Sequence, residues 1–487
     1  MHLTIGSTSL NQFVSLPLKL ANRHGLIAGA TGTGKTVTMQ MLMEQFSKAG
    51  VPVFAADIKG DLSGIAKAGG HGAAAERYVE MVGTFNPESS PVQFWDIYGR
   101  HGAPIRTSVQ EMGTQLLGTM LQLNPTQAGA LEIAFRIAEN EKSFLLTLND
   151  LRWSLNEMLE NREDVCRQYG NVTASSISAI QRNIIALEAQ GVDKLFGEPP
   201  FDMADFLRTD NTGKGVVNLL DATALIEAPR AYATLLLFLL TKLFRELPEV
   251  GDLDKPKLVF FFDEAHLLFK DAPKPLLGSI ERLVRLVRSK GVGVFFASQA
   301  AADVPETVLA QLGTRIQHAL RAYTPSSQRM VKATVAAFRQ NTAVDAAQAI
   351  ISMGIGEALV SVMVDGNIPS PVEHIRILPP RGQIGPITIT ERDEIRSVAQ
   401  IEKKYAAQDG HEAELSFTNR MLANRSLPTI SSEPSGTEKP MDWNKIMGPL
   451  DLLHSVEHPR KRLTTRKIVA FFSFLSITLI ACSFIFQ

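Results

Sequence analysis

Two groups of residues in this sequence carry side chains suited to phosphate chemistry. The first is the stretch GATGTGKT at residues 29–36, which fits the pattern G-x-x-x-x-G-K-[ST]. Glycines in such a loop let backbone N–H groups turn towards phosphate oxygens, and the following helix N-terminus adds partial positive charge. Lys35 would reach the β- and γ-phosphates of a nucleoside triphosphate, and the Thr36 hydroxyl would bind Mg²⁺. We therefore predict a nucleotide-binding loop made of Gly29, Ala30, Thr31, Gly32, Thr33, Gly34, Lys35 and Thr36.

The second group is the acidic pair Asp263-Glu264, which directly follows the apolar run LVFFF at residues 258–262. Such a run predicts a buried parallel strand with two carboxylates at its carboxyl end. Asp263 is expected to hold Mg²⁺, directly or through its waters, and Glu264 to polarise the attacking water as general base. The alternative is an ordinary strand end with two solvated acids. Because the chain also carries the glycine loop, we favour the catalytic interpretation.

Two further polar residues suit the same reaction. The apolar run at 291–297 predicts another buried strand, and Gln299 follows at its carboxyl end. If this strand neighbours the acidic one, an amide there can orient the water and sense the γ-phosphate, whereas a helix cap is the alternative. Arg315, beside a glycine near the start of a later strand, is the candidate for an arginine finger that reaches from one subunit into the next. The predicted catalytic set is Lys35, Glu264, Gln299 and Arg315.

Five other charged residues keep two interpretations each. Asp57 and Lys59 follow an apolar run, and they either contact Mg²⁺, water or a neighbouring subunit, or close a turn. Arg282, Arg285 and Arg288 recur at a spacing of three on a predicted amphipathic helix. They lie either on a solvated helix face or at a subunit interface or nucleic-acid path.

The elements that must position these residues follow an α/β pattern. Apolar runs predict parallel strands with helical periodicity between them, at 24–28, 51–57, 91–96, 215–221, 258–262 and 291–297. Helical spacing alone dominates between about 108 and 206, which predicts an all-helical insertion. We divide the chain into a first part of the ATPase core (1–107), the helical insertion (108–206), a second part of the core (207–380), a helix and polar linker (381–467) and an apolar tail (468–487).

Composition limits the function classes. The formal net charge of −1 provides no global basic field, so any nucleic-acid contact must come from a local patch or from a ring of subunits. The two cysteines lack metal-type spacing, and we expect no metal beyond Mg²⁺ and a reducing compartment. Residues 468–486 are uncharged and follow several lysines and arginines, which is typical of a membrane anchor with the rest of the chain in the cytoplasm. A terminal helix that is buried or covered by a partner is the alternative.

With these motifs in hand, the chain resembles the HerA/FtsK branch of the RecA-like ATPases, and especially a bacterial HerA-like helicase family. The resemblance rests on residues 24–36, 57–64, 258–266, 288–299, 313–320 and 356–360. It implies an α/β, RecA-like P-loop NTPase with a central, mostly parallel sheet. It also implies a homo-hexameric ring that hydrolyses ATP with Mg²⁺ and moves or unwinds DNA. Arg315 stands where this branch often has its trans-acting arginine.

Three functions remain open on the sequence. The first is a Mg-ATP-hydrolysing ring motor that translocates or unwinds DNA, where DNA as the partner rests on resemblance alone. The second is a membrane-tethered ATPase that moves protein or another macromolecule, favoured by the apolar tail and its basic flank. The third is a nucleotide-controlled scaffold with little turnover, which the Asp263-Glu264 pair argues against.

Overall fold

The computed structural model describes residues 1–251, 253–270, 274–321, 324–364, 366 and 368–405. The predicted linker at 424–440 and the predicted membrane anchor at 468–486 lie outside these residues. None of the helices within the described part of the chain combines the length and the apolarity that a bilayer crossing requires.

Strands occur along most of the described chain, and α-helices separate many of them. Their bounds are β1 His2–Thr8, β2 Phe13–Pro17, β3 Gly25–Ala28, β4 Val53–Asp57, β5 Val92–Asp96, β6 Ala103–Pro104, β7 Val217–Asp221, β8 Leu258–Phe262, β9 Val292–Ser298, β10 Thr314–Gln317, β11 Glu357–Ser361, β12 Met363–Val364, β13 Ile368–Pro369 and β14 Glu373–Ile377. Within the described residues, twelve of them form one sheet in the order β2-β1-β14-β11-β10-β3-β9-β8-β4-β7-β5-β6, and β12 pairs with β13 separately.

The strands from β10 through β6 in this order run parallel. On the other side of β10, the sheet continues with the antiparallel strands β11, β14, β1 and β2. The predicted fold class, an α/β protein with a mostly parallel central sheet, is therefore confirmed. The antiparallel pairing of this flank was not predicted, because β1 and β14 lie near opposite ends of the described chain and pairing between distant segments leaves little local signal.

Helices connect the parallel strands and cover the faces of the sheet. Their bounds are α1 Lys35–Lys48, α2 Ala73–Val82, α3 Val109–Met120, α4 Pro125–Asn140, α5 Leu148–Glu160, α6 Arg162–Tyr169, α7 Ala174–Ala189, α8 Pro229–Glu246, α9 His266–Phe269, α10 Lys274–Val287, α11 Glu306–Leu309, α12 Pro325–Ala336, α13 Ala346–Ser352, α14 Ile389–Ser397 and α15 Gln400–Tyr405. Five of them, α3 to α7, follow one another between β6 and β7. The domain boundaries drawn from the sequence remain a proposal.

The first helix packs against the centre of the sheet and is the element that carries the glycine loop. Apolar residues at helical spacing give α1 one buried face, which includes Met39, Leu42, Met43 and Phe46. The Phe46 ring meets the rings of Phe261 on β8 and Phe295 on β9 edge-on, at centroid distances of 6.1 and 5.9 Å. This contact fixes α1 over the two strands whose carboxyl ends face the loop.

We expect Phe46→Ala to lower the free energy of unfolding by about 3–5 kcal/mol, because it removes a fully buried ring and leaves a cavity beneath α1. Urea denaturation of the full chain would measure this. Phe144→Ala is the matched control, since its side chain is 54% exposed. Equal losses in the two variants would contradict the packing of α1 described here.

Candidate functional site

The glycine loop joins β3 to α1 and takes a backbone path that requires glycine at two positions. At Gly29 the φ angle is +157°, and a Cβ atom there would lie 2.5 Å from the Cβ of His318. At Gly32 the φ angle is +78°, in the left-handed region that side chains disfavour. Residues 29–34 therefore form a tight turn at the carboxyl end of β3, and Lys35 and Thr36 are the first two residues of α1.

Lys35 is folded back into this loop and is only 6% exposed. Its ammonium group donates hydrogen bonds to the carbonyl oxygens of Gly29 and Ala30, at 2.7 and 3.2 Å. Burial and the positive charge of Lys59 lower the pKa of Lys35, while the carboxylates of Glu264 and Asp263 act in the opposite direction. Lys35 and the acidic pair thus share one electrostatic environment.

The acidic pair lies immediately after β8, and β9 separates β8 from β3 in the sheet. Both residues are buried, Asp263 at 1% and Glu264 at 5% exposure. Because parallel strands end at the same edge of a sheet, the pair and the glycine loop face the same cleft. The structure therefore brings Lys35, Asp263 and Glu264 together, as the sequence predicted.

Glu264 adopts an unusual backbone conformation and is held by two neighbours. Its φ angle of +46° is in the left-handed region, which costs a residue with a side chain about 1–2 kcal/mol. One carboxylate oxygen forms an ion pair with the Lys59 ammonium, and the other lies 3.1 Å from Nδ1 of His266. Burial alone would raise the pKa of Glu264, but Lys59, with help from His266 and Lys35, brings it below the ordinary value. Glu264 is therefore held as a carboxylate.

The last residue of β4, Asp57, and the loop that follows it, with Lys59 and Asp61, belong to the same cleft. Asp57 closes the turn, since its carboxylate accepts hydrogen bonds from the backbone N–H groups of residues 60, 61 and 62. Burial raises the pKa of Asp57 to about 7, against the effect of those hydrogen bonds. Of the two interpretations left open for this residue, turn closure is the one observed. Lys59 instead extends to Glu264.

The residues predicted to hold Mg²⁺ have donor atoms suited to it. Oδ2 of Asp263 is buried and has no hydrogen-bond partner among the described residues, so one carboxylate oxygen is left for a ligand. Burial raises the pKa of Asp263 to about 6, while the charge of Lys59 lowers it. Thr36 contacts the Asp61 carboxylate, and Oδ1 of Asp61 also lacks a partner in this part of the chain. Carboxylate and hydroxyl oxygens are ligands that Mg²⁺ accepts, so the donor set fits.

Gln299 follows the last residue of β9, between the glycine loop and the acidic pair, and its side chain is exposed. The neighbouring turn is closed by Asp303, whose carboxylate accepts hydrogen bonds from the Ser298 hydroxyl at 2.6 Å and the Ala300 N–H at 2.9 Å. Asp303, rather than Gln299, therefore caps this turn. The role of Gln299 towards water or a phosphate remains a prediction.

Arg315 does not lie with the residues above. It pairs in register with Leu26 near the start of β3, whereas the glycine loop begins after the end of that strand. Its guanidinium donates hydrogen bonds to the carbonyl oxygens of Ala337 and Leu309, at 2.9 and 3.4 Å. Burial lowers the pKa of Arg315. Arg315 thus faces the amino-terminal edge of the parallel strands, away from the loop of its own chain.

A cavity of about 430 Å³ opens beside Arg315 and concentrates positive charge. Five arginines line it: Arg23, Arg285, Arg288, Arg315 and Arg339. Among the lining residues in the described part of the chain, none is acidic. Arg285 and Arg288, whose role the sequence left open, therefore belong to an arginine-rich cavity, hereafter the arginine cavity.

Sequence reasoning missed His318, which packs against Gly29 of the glycine loop. Its ring is buried and lies 2.9 Å from both the Thr38 hydroxyl and the carbonyl oxygen of Glu357. Burial lowers the pKa of His318 to about 4, so the ring is neutral near pH 7. A histidine directly after strand β10 was the available signal, since a polar group at a strand end often belongs to a site.

Comparison with known proteins agrees with this geometry. Residues 2–474 match the protein family described as "Helicase HerA-like C-terminal". A "Probable helicase MJECL08" of Methanocaldococcus jannaschii is 32% identical over 127 residues, which are 26% of this chain and 22% of that protein. The match thus spans about a fifth of that relative's length.

Two solved structures share the fold. VirB4 of Thermoanaerobacter pseudethanolicus has a TM-score of 0.50 and 15% identity, over 77% of this chain and 96% of VirB4. The plasmid coupling protein TrwB, in complex with the non-hydrolysable GTP analogue GDPNP, has a TM-score of 0.50 and 14% identity, over 78% of this chain and 90% of TrwB. Since the family match extends over nearly the whole chain, this protein, which has a P-loop ATPase fold, belongs to the helicase HerA-like C-terminal family.

Proposed function

We propose that this protein is a Mg²⁺-dependent ATP hydrolase that works as a ring-forming DNA translocase or helicase. The observation that carries the proposal is the meeting of Lys35 with Asp263 and Glu264 at one edge of the sheet. A lysine in a phosphate loop opposite a buried carboxylate pair is the arrangement that phosphoryl transfer to water requires. A scaffold that only binds nucleotide has no need of the carboxylate at position 264.

Each residue has a definite task in the proposed reaction. Backbone N–H groups of the glycine loop and the Lys35 ammonium bind the triphosphate. To do so, Lys35 gives up its present hydrogen bonds to the loop carbonyl oxygens. The water oxygen forms a bond to the γ-phosphorus while the bond from that phosphorus to the β,γ-bridging oxygen breaks, and a water proton passes to Glu264. Gln299 orients the water from the adjoining strand end.

Thr36 and Asp263 are the residues that would hold Mg²⁺, with Asp61 beside the Thr36 hydroxyl. When bound, the ion neutralises the charge that develops on the phosphate oxygens. Supporting the choice of a nucleoside triphosphate, the solved structure of TrwB contains a triphosphate analogue. The sequence has no Asn-Lys-x-Asp guanine-binding motif, which favours ATP.

The arginine cavity supports assembly into a ring. Arg315 faces the edge of the sheet opposite its own phosphate loop, so it can serve a nucleotide only in another copy of the chain. An arginine finger supplied in trans stabilises the charge of the transition state. In this arrangement the carboxyl edge of one subunit faces the amino-terminal edge of the next, and a homo-hexamer is the proposed ring.

DNA is the proposed substrate because the chain belongs to a helicase family and a relative is named a probable helicase. With a net charge of −1, DNA contacts must come from few basic groups per subunit, repeated around the ring. ATP hydrolysis should rise when double- or single-stranded DNA is added, and no stimulation by any form would contradict the DNA motor.

A second candidate is a membrane-tethered ATPase that moves protein or another macromolecule. The apolar run at 468–486 and the fold likeness to VirB4 and a conjugative coupling protein favour it. Cell fractionation of the full chain and of a chain ending at residue 467 separates the two candidates. Membrane recovery of the full chain alone would favour the tethered ATPase.

Glu264→Gln should reduce the rate of ATP hydrolysis about 10²- to 10⁴-fold while ATP still binds, because the amide fills the same space but cannot accept the proton. Steady-state phosphate release and calorimetric ATP binding would measure the two effects. Glu306→Gln, which changes an exposed glutamate on α11, is the control and should hydrolyse ATP at the wild-type rate. Normal turnover by Glu264→Gln would rule out the proposed base.

Mixing inactive variants tests whether Arg315 acts in trans. We expect Lys35→Ala and Arg315→Gln each to lose ATP hydrolysis, and their mixture to recover part of it. Recovery follows because the intact loop of one variant meets the intact arginine of the other. A mixture of Lys35→Ala with the double variant Lys35→Ala/Arg315→Gln is the control and should stay inactive. If native mass spectrometry detects mixed oligomers without recovered activity, Arg315 does not act in trans.

A further inference from the structure

Lys59 is a residue whose position the proposed reaction does not yet explain. It lies in the loop after β4, and its ammonium forms an ion pair with the carboxylate of Glu264. The Lys59 side chain is 40% exposed, whereas that of Glu264 is 6% exposed. The lysine therefore enters the cleft from the solvent side and neutralises one of the two carboxylate oxygens of the proposed general base.

A second positive group lies close to Lys59. The charge of Lys59 helps to lower the pKa of Lys35, and both lysines interact with Asp263 and Glu264. Two ammonium groups that repel each other favour an anion placed between them. Lys35 and Lys59 thus supply positive charge that phosphate oxygens can contact, in a cleft that also holds the carboxylates of Asp61, Asp263 and Glu264.

We propose that, when a nucleoside triphosphate binds, the Lys59 ammonium breaks its ion pair with Glu264 and pairs with the terminal phosphate instead. The inference rests on the proposed function and deepens it, because it assigns a sensor for the γ-phosphate to this chain. With a diphosphate bound, Lys59 stays on Glu264 and the base remains blocked. With a triphosphate bound, the Lys59 ammonium contacts the γ-phosphate, and the Glu264 carboxylate is free to accept a proton from water.

The exchange makes Lys59 and Glu264 interdependent in triphosphate binding. When Lys59 leaves Glu264, the lost ion pair subtracts from the affinity for the triphosphate, so removing the carboxylate should tighten binding as long as Lys59 is present. Diphosphate binding leaves the ion pair intact and should be insensitive to both side chains. A purely structural role of the ion pair would affect both nucleotides alike.

The test measures the dissociation constants of ADP and of a non-hydrolysable ATP analogue by calorimetry, using the full chain with Mg²⁺. The variants are Lys59→Met, Glu264→Gln and the double variant. We expect Lys59→Met to weaken binding of the analogue about tenfold, or ~1.4 kcal/mol, with ADP binding within about twofold of wild type. Glu264→Gln should tighten analogue binding, and this gain should disappear in the double variant.

Two further variants separate charge from structure. Lys59→Arg keeps the positive charge and should retain most of the preference for the triphosphate analogue. Lys67→Met is the matched control, because Lys67 also pairs with a carboxylate, that of Glu391, and is 39% exposed. It should bind both nucleotides as the wild type does.

The inference is overturned if Lys59→Met changes the two dissociation constants by the same factor or not at all. It is also overturned if the effects of the two single substitutions simply add in the double variant. A wild-type chain that binds neither nucleotide would refute the proposed function together with this inference. A wild-type chain that hydrolyses ATP, with variants that fail the pattern above, would refute the exchange alone.

Discussion

The burial of opposite charges in one cleft is the constraint on which the rest of this structure depends. Lys35, Asp263 and Glu264 are all less than 7% exposed, and an isolated buried charge is too costly to persist. They are tolerated because β3, β9 and β8 lie side by side and end at the same edge. The aromatic contacts of Phe46 keep α1 over these strands, so hydrophobic packing fixes the distance between the charges.

The sequence predicted the centre of the sheet well because its signals are local. The glycine loop and the apolar runs before Asp263 and Gln299 each fall within a dozen residues, and the strands β3, β8 and β9 lie where these runs predict. Contacts between distant segments were not predictable in this way. The ion pair between Lys59 and Glu264 joins residues about two hundred positions apart, and the support of Gly29 by His318 joins an even wider pair. No periodicity or spacing reports such contacts.

Chemistry is divided between the two edges of the parallel strands. Carboxylates and the phosphate loop face one edge, whereas the arginine cavity opens at the other. Arg315 lies away from the phosphate loop of its own chain, but its edge of the sheet can act as a surface for the nucleotide site of another copy. In the proposed ring, one sheet would thereby supply two complementary halves of a nucleotide site.

The outermost strands of the large sheet bear on how copies of this chain can associate. In the described part of the chain, β6 has two residues and ends in Pro104, and β2 ends in Pro17. Proline has no N–H to donate, and a two-residue strand offers little backbone for pairing. Sheet-to-sheet extension, the route by which many β-rich proteins form fibres, is therefore disfavoured at both margins. In the proposed ring, copies would then associate through side-chain surfaces rather than through backbone hydrogen bonds between strands. A bound nucleotide can change such a side-chain surface.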